Sequence, residues 1–383
     1  MKIFNRLFNI SDDSSCFIFG PRGTGKSFWL KKQYKNSIYL DLLDAEIFNQ
    51  LNASPNRLEM MISSTEKNQV IILDEVQKIP KLLDEVHRLI ENKGLRFILA
   101  GSNAKKLKTV DTNLLAGRAY TYYFYPLAAI ELGDRFDLQF SLQFGHLPSV
   151  YNTEDPAKYL KSYVMTYLKE EVQQEGITRN LSAFNRFLES ASFSQGEVLN
   201  ISDVARDCHV NRKTVENFFF ILEDLLLSRK IPVFTKKAKR KIIHHPKFYF
   251  FDVGVYRAIR PKGLLDSPEE IDGAALETLF LQELIAINDI QQLDYEIYYW
   301  RTITQLEVDF ILYGEKGILA FEIKRKSRLN QKDFKGLKAF KQDYPMAKCY
   351  MLYGGKLRLQ ENDCIILPIQ EVFSDLPRIL SKD

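Results

Sequence analysis

Eight residues near the amino terminus, Gly20-Pro21-Arg22-Gly23-Thr24-Gly25-Lys26-Ser27, constrain this chain more than any other stretch. They fit G-x-x-x-x-G-K-[ST]. They lie between an apolar run, Cys16 to Phe19, and a helix-like segment, Phe28 to Tyr34. Strand, glycine-rich turn and helix start form the context in which this motif cradles phosphate. Glycine lets successive backbone N–H groups curl inward, and the helix start adds unpaired donors and the positive end of a dipole. On this reading Gly20, Gly23, Thr24, Gly25, Lys26 and Ser27 line the phosphates of a nucleotide. Lys26 reaches the β- and γ-phosphates, and the Ser27 hydroxyl ligates Mg2+.

The surrounding sequence repeats a strand–helix rhythm. Ser37 to Leu42 reads as a strand, Arg57 to Ser64 as a helix and Gln69 to Glu75 as a buried strand ending in two carboxylates. Pro80 to Asn92 reads as a helix with proline in its first turn, where proline is tolerated. Arg96 to Ala100 reads as a further strand, followed by Gly101-Ser102-Asn103. Such alternation predicts a parallel sheet covered on both faces, with ligands at the carboxyl ends of its strands. Asp74 then reads as the carboxylate that holds Mg2+ through water, and Glu75 as the base for the attacking water. Ser102 or Asn103 is placed to sense the γ-phosphate. Arg118 precedes the strand Ala119 to Phe124 and is placed to neutralise the γ-phosphate in cis or in trans. The plainer reading of Arg118 is a helix-terminal cation meeting the dipole.

Taken in order, GPRGTGKS, ILDEVQKIP (Ile72 to Pro80), LAGSN, LLAGR and FYPLAAIE (Phe124 to Glu131) resemble one AAA-type P-loop ATPase family of archaea and bacteria. Its members carry a C-terminal domain of unknown function. The resemblance covers nearly the whole chain and implies ATP rather than GTP. No guanine-reading N-K-x-D run is present, since Asn330-Gln331-Lys332-Asp333 has its lysine displaced. Where relatives often read a double glycine and then a proline, this chain has Gly145-His146-Leu147-Pro148.

The middle of the chain reads as helical. Asp155 to Gly176 is a lid or connector helix. Ile201 to His209 and Arg212 to Leu227, joined at Val210-Asn211, form a helix-turn-helix pattern. Two strands, Lys230 to Phe234 and Lys247 to Phe251, flank Lys236, Lys237, Lys239, Arg240 and Lys241 and read as a wing. Duplex DNA suits this arrangement, with Arg212 and Lys213 toward bases and the wing lysines on phosphate. Contact with a protein, through a solvated basic tip, suits it equally.

In the last third, Leu276 to Leu284 reads as an amphipathic helix and Glu296 to Arg301, Leu306 to Leu312 and Gly317 to Lys324 as strands. Asp309 and the E-x-K run Glu322-Ile323-Lys324 form D…E-x-K. Positions 322 and 324 share one strand face, and Asp309 on the adjacent strand can meet them. Two carboxylates suit Mg2+, and Lys324 suits a developing oxyanion in phosphodiester cleavage. Glu277, on the helix, can complete the acidic cluster. These positions resemble the PD-(D/E)xK nuclease fold, although Val308 stands where its proline would be. Plain alternation on a half-exposed strand would leave the same pattern.

Composition bounds the rest. The 383 residues suggest two to three domains, and the net charge of +4 is too mild to name a partner. Four scattered cysteines read as a reduced, cytoplasmic protein. No 18-residue apolar run is present, so no membrane span is expected. Asp12 and Asp13 interrupt before any long apolar segment, which reads against a secretory signal.

The expected fold class is α/β: an AAA-type P-loop NTPase parallel sheet (1–130), a helical lid or connector (131–190), a winged helix (191–262) and a PD-(D/E)xK-like α/β domain (263–383). The expected function is a Mg2+-dependent ATP hydrolase working on DNA, with homo-oligomerisation if Arg118 acts in trans. The rival is a nucleotide-controlled switch in signalling or defence whose C-terminal domain binds protein and cuts nothing.

Overall fold

The computed structural model describes residues 3–10, 14–63, 69–102, 118–168, 181–236, 240, 242, 244–263, 266–361 and 363–381. The chain forms two compact units. One is Asn5–Pro126 with the short piece Asp224–Leu226, and the other is the remainder.

The first unit is built on five parallel strands: β1 (Ser15–Phe19), β2 (Ile38–Asp41), β3 (Val70–Asp74), β4 (Arg96–Gly101) and β5 (Ala119–Tyr123). Their spatial order is β2-β3-β4-β1-β5. Side chains alternate across a strand, so both sheet faces must be apolar if both are covered. Phe17, Phe19, Ile71, Leu73, Phe97 and Leu99 build one core. Cys16, Ile18, Val70, Ile72, Ile98 and Ala100 build the other. Helices α1 (Lys26–Gln33), α2 (Ala45–Ala53), α3 (Arg57–Met61) and α4 (Leu82–Lys93) connect these strands. Asp44 caps α2, accepting from the N–H groups of Glu46 and Ile47. Gly94, in the left-handed region at φ +62, ends α4.

The second unit begins with α5 (Ala129–Leu132), α6 (Leu138–Phe144) and α7 (Pro156–Ser162). The expected connector helix starts at Pro156 and continues to Leu168; its remaining part lies outside the described residues. Three further helices follow: α8 (Leu181–Phe193), α9 (Ile201–Asp207) and α10 (Arg212–Asp224). They precede an antiparallel pair, β6 (Ser228–Ile231) and β7 (Lys247–Phe250), and then α11 (Val253–Ile259).

The two strands expected of the wing are paired, and part of the basic segment between them is held down. The segment after β6 lies along the C-terminal sheet, where Val233 bridges Tyr299 and Ile242 bridges Thr302. Phe234 packs among Tyr298, Tyr313, Phe340 and Tyr344. Lys236 pairs with Glu296 and Arg240 with Asp343, each at 2.7 Å. Apolar anchoring by Phe234 and an edge strand with open hydrogen-bond positions hold the segment down. Lys237, Lys239 and Lys241 lie outside the described residues.

The last part carries α12 (Pro268–Ile290), β8 (Glu296–Arg301), β9 (Glu307–Gly314), β10 (Gly317–Lys324), α13 (Lys335–Asp343), β11 (Lys348–Tyr353), β12 (Leu359–Glu361), β13 (Cys364–Pro368) and α14 (Ile369–Ser381). The six strands form a mixed sheet in the order β12-β13-β11-β10-β9-β8. The hairpin β8-β9-β10 is antiparallel, while β10-β11 and β11-β13 are parallel. Leu276 to Leu284 is helical, but it is not amphipathic. Leu276 and every residue from Thr278 to Leu284 are buried, because α12 runs between α6, α11, α14 and β10. A helix buried all round is one enclosed by its neighbours. No helix of the described residues is long and apolar enough to cross a membrane.

Candidate functional site

Two chemically distinct clusters emerge, one in each unit. In the first unit the phosphate loop leaves β1 and enters α1 with Gly23 at φ +84 and Gly25 at φ +92, conformations open to glycine. Thr24 is fully buried and its hydroxyl donates to the Pro21 carbonyl at 2.8 Å, bracing the loop. Arg6 donates to the Thr24 carbonyl at 3.0 Å from outside the motif. The Lys26 ammonium donates to the carbonyls of Gly20 (2.5 Å) and Pro21 (3.0 Å), so it is folded over the loop that would hold the phosphates.

Asp74 ends β3 and is buried. One of its oxygens accepts from the Tyr39 hydroxyl, and the other accepts from the Glu75 N–H at 3.1 Å. Ser27 lies beside the same hydroxyl. Burial first, and then the charge of Asp74, push the Tyr39 phenol far above its ordinary value, so it stays a donor. The hydroxyl of Ser27 and the carboxylate of Asp74 therefore converge on one oxygen atom. Such hard oxygen donors suit Mg2+.

Glu75 follows at φ +59, and its carboxylate accepts from the Gln77 amide at 2.5 Å. Gln77 also donates to the Ser102 hydroxyl at 3.0 Å. Of the two sensor candidates, Ser102 is buried within this network, and Asn103 lies outside the described residues. Arg118, at the start of β5, is paired with Glu91 on α4. Tyr39 and Gln77 were missed in the sequence. The only signal was their place: Tyr39 two residues before the end of β2, and Gln77 two residues after Glu75.

The second cluster lies on the C-terminal sheet. Phe310 pairs with Phe321 across β9 and β10, and one step further the register sets Asp309 opposite Glu322. Both are buried. Asp309 accepts from the Ile323 N–H at 2.8 Å. One oxygen of Glu322 is paired with Lys324 at 2.6 Å, and the other, Oε2, is buried without a hydrogen-bond partner. Burial first, and then Asp309, push the Glu322 carboxyl well above the carboxylate range, against the pull of Lys324. An orphaned, buried carboxylate oxygen beside a second carboxylate is a donor set that a divalent cation fits.

The expected trio with Glu277 is not closed. Among the described residues no three His, Cys, Asp or Glu groups gather as metal ligands. Glu277 instead accepts from the Tyr249 hydroxyl at 3.1 Å and lies 3.9 Å from the Lys247 ammonium. Lys247 is buried, projects from β7 and is also paired with Glu307. Burial and then Asp309 push the Glu277 carboxyl up to about 8. Sequence reasoning assigned Lys247 only to a strand, because nothing local marks a lysine that will be enclosed.

Another buried network surrounds His146, which stands where relatives often have glycine. Its ring bonds the Leu127 carbonyl (2.8 Å) and the Ser141 hydroxyl (2.9 Å), and its N–H donates to Asp252 at 2.8 Å. Glu283 lies 3.2 Å from the ring and accepts the Ala129 N–H. These groups are fully enclosed and mutually satisfied, which makes the network structural.

Three family models match successive stretches of the chain. Residues 12–133 match the AAA domain family. Residues 135–266 and 272–372 match two domains of unknown function, DUF8612 and DUF4143. Uncharacterized proteins of Mycobacterium bovis and Mycobacterium tuberculosis are each 25% identical over 364 residues, covering 93% of this chain and 80% of theirs. Among solved structures, Orc1 of Aeropyrum pernix in complex with DNA aligns at 13% identity and TM-score 0.28, over 64% of this chain and 86% of that one. A point mutant of RuvB from Thermotoga maritima aligns at 13% identity and TM-score 0.29, over 57% and 82%. The AAA-domain match over residues 12–133 and the geometry of the phosphate loop both support a P-loop ATPase domain in the first unit.

Proposed function

We propose that this chain is a Mg2+-dependent AAA-type ATPase that binds and hydrolyses ATP and acts on DNA. The observation that carries this reading is the gathering of Lys26, Ser27, Asp74 and Glu75 at one end of a parallel sheet. Mg2+, when bound, supplies neutralising charge on the phosphates, with Ser27 and Asp74 as the residues that hold it. Lys26 exchanges the loop carbonyls for the β- and γ-phosphates. Glu75 takes the proton of the attacking water. Arg118 leaves Glu91 to meet the γ-phosphate, from its own copy or from a neighbouring copy in a homo-oligomer.

DNA is met by α10, which exposes Arg212, Lys213, Asn217 and Phe220 on one face together with Glu216, the ion-pair partner that Arg212 exchanges for DNA, in a winged helix whose wing rests on the C-terminal sheet. In the C-terminal domain, read as PD-(D/E)xK-like, Asp309 and Glu322 are the residues that would hold a divalent cation. Lys324 stabilises charge on a phosphodiester there.

One observation favours a second reading, a nucleotide-controlled switch in signalling or defence whose C-terminal domain binds protein. Lys324 on Glu322 and Lys247 on Glu307 already offset much of the acidic charge from within. ATP turnover of the full chain, measured with and without duplex and single-stranded DNA, separates the two. Stimulated turnover or Mg2+-dependent cleavage is expected on the first reading. ATP turnover indifferent to DNA, with no cleavage, selects the second.

A further inference from the structure

Gln77 occupies the single helical turn after β3 and is buried. A carboxylate only accepts hydrogen bonds, so the amide must turn its NH2 group toward Glu75. Both amide hydrogens are then spent on site groups, one on Glu75 (2.5 Å) and one on the Ser102 hydroxyl (3.0 Å). The amide oxygen is left buried with no hydrogen-bond partner. Buried acceptors are seldom left in this state, because their desolvation goes uncompensated. The side chain is thus held by its two donor bonds and not by any need of its oxygen.

Two further features fit around it. A Cβ at position 101 would lie 2.3 Å from the Gln77 oxygen, so glycine at the end of β4 leaves the amide its place. Glu75 is held at φ +59, a conformation uncommon outside glycine and found where a backbone is over-determined by its surroundings. Since the Ser102 oxygen accepts from Gln77, its own proton is directed to another acceptor, and a γ-phosphate oxygen is such an acceptor.

We propose that Gln77 is a positioning residue for ATP hydrolysis: it fixes the Glu75 carboxylate and ties it to Ser102, so that the base and the phosphate-sensing strand end move as one. The inference rests on the ATPase reading above, with Glu75 as base.

The experiment is a kinetic cycle on the full chain. Gln77→Leu and Gln77→Met keep the volume and remove both donors. Each is expected to lower kcat about 10- to 100-fold, the scale of a misaligned catalytic group, with affinity for a non-hydrolysable ATP analogue within about threefold. Because Gln77 acts through Glu75, adding Gln77→Leu to Glu75→Gln should cost nothing more. Wild-type kcat in the Gln77 variants, or losses that multiply fully with Glu75→Gln, would overturn the proposal. So would thermal melts showing both Gln77 variants unfolded, which would assign the residue to packing. Failure of the underlying reading looks different: Lys26→Ala and Glu75→Gln would themselves turn over ATP at the wild-type rate.

Discussion

The two acidic clusters hold their carboxylates in opposite ways. In the ATPase unit Asp74 and Glu75 are held by neutral donors, the Tyr39 hydroxyl and the Gln77 amide. On the C-terminal sheet Glu322 and Glu307 are held by ammonium groups, Lys324 and Lys247. A neutral donor does not itself cancel the negative charge of its acceptor. An ammonium already offsets that charge, and a cation must displace it or share the carboxylate with it. The charge of the second cluster is thus offset from within.

The sharpest way to break this comparison is at the phosphate loop. Lys26→Ala is expected to abolish ATP binding, because it removes the point charge on the β- and γ-phosphates. Glu75→Gln should retain ATP while losing about 10²- to 10⁴-fold in kcat. Fluorescent-nucleotide titration and steady-state turnover check both. Wild-type turnover in Glu75→Gln would remove that residue from its role as base.

Arg118 tests whether the first site is complete in one copy. In trans, Arg118→Ala should lower turnover by about 10³-fold with similar nucleotide affinity, and turnover per chain should rise with protein concentration. Full activity that is independent of concentration would rule out the role in trans and leave Arg118 in its pair with Glu91.

The ammonium-held cluster should respond in stability more than in chemistry. Lys247→Met removes the buried cation beside Glu277 and leaves Glu307 with Arg301 as its remaining cation, and a loss of about 3 kcal/mol is expected. Tyr39→Phe at the first site, which removes one hydrogen bond from a neutral donor to a buried carboxylate, should cost less, about 1.5–3 kcal/mol. Urea melts compare the two, and equal losses would erase the distinction drawn between the sites.

The smallest expected effect concerns pH. The Glu277 carboxyl is raised from 4.5 to about 8, by burial first and then by Asp309. Between those values the folded chain keeps a proton that the unfolded chain has released. Stability from this group is thus full below the ordinary value and is lost as pH rises toward about 8. In the presence of a chelator, the melting temperature of the wild type should fall relative to Glu277→Gln by about 2–4 °C between about pH 5 and about pH 8. Parallel curves would return Glu277 to ordinary carboxylate behaviour.

How much of this was legible depended on how local the signal was. The phosphate loop is eight consecutive residues with a fixed conformational demand at Gly23 and Gly25, so it was read whole. The D…E-x-K pattern was readable because a strand alternates its faces, and the hairpin then sets Asp309 against Glu322. The amphipathic reading of Leu276 to Leu284 failed because enclosure by α6, α11, α14 and β10 is a property of the neighbours, not of the helix. The pairing of Lys236 and Arg240 in the basic wing segment was illegible for a similar reason. Lysines at a hairpin tip look solvated until Phe234 anchors the segment and Glu296 and Asp343 pair with its charges.

What the sequence by itself determined is the set of groups with chemistry to offer: Lys26, Ser27, Asp74 and Glu75 in one region, and Asp309, Glu322 and Lys324 in another. Periodicity and turn geometry act over a few residues, and that range suffices to bring these groups to strand ends and faces. Only the tertiary structure decided what each carboxylate leans on. Tyr39 and Asp74 are 35 residues apart, Gln77 and Ser102 are 25, and Lys247 is 30 from Glu277. Such pairs are chosen by which strands become neighbours and by which charges lose their water together, and neither is written in the local pattern.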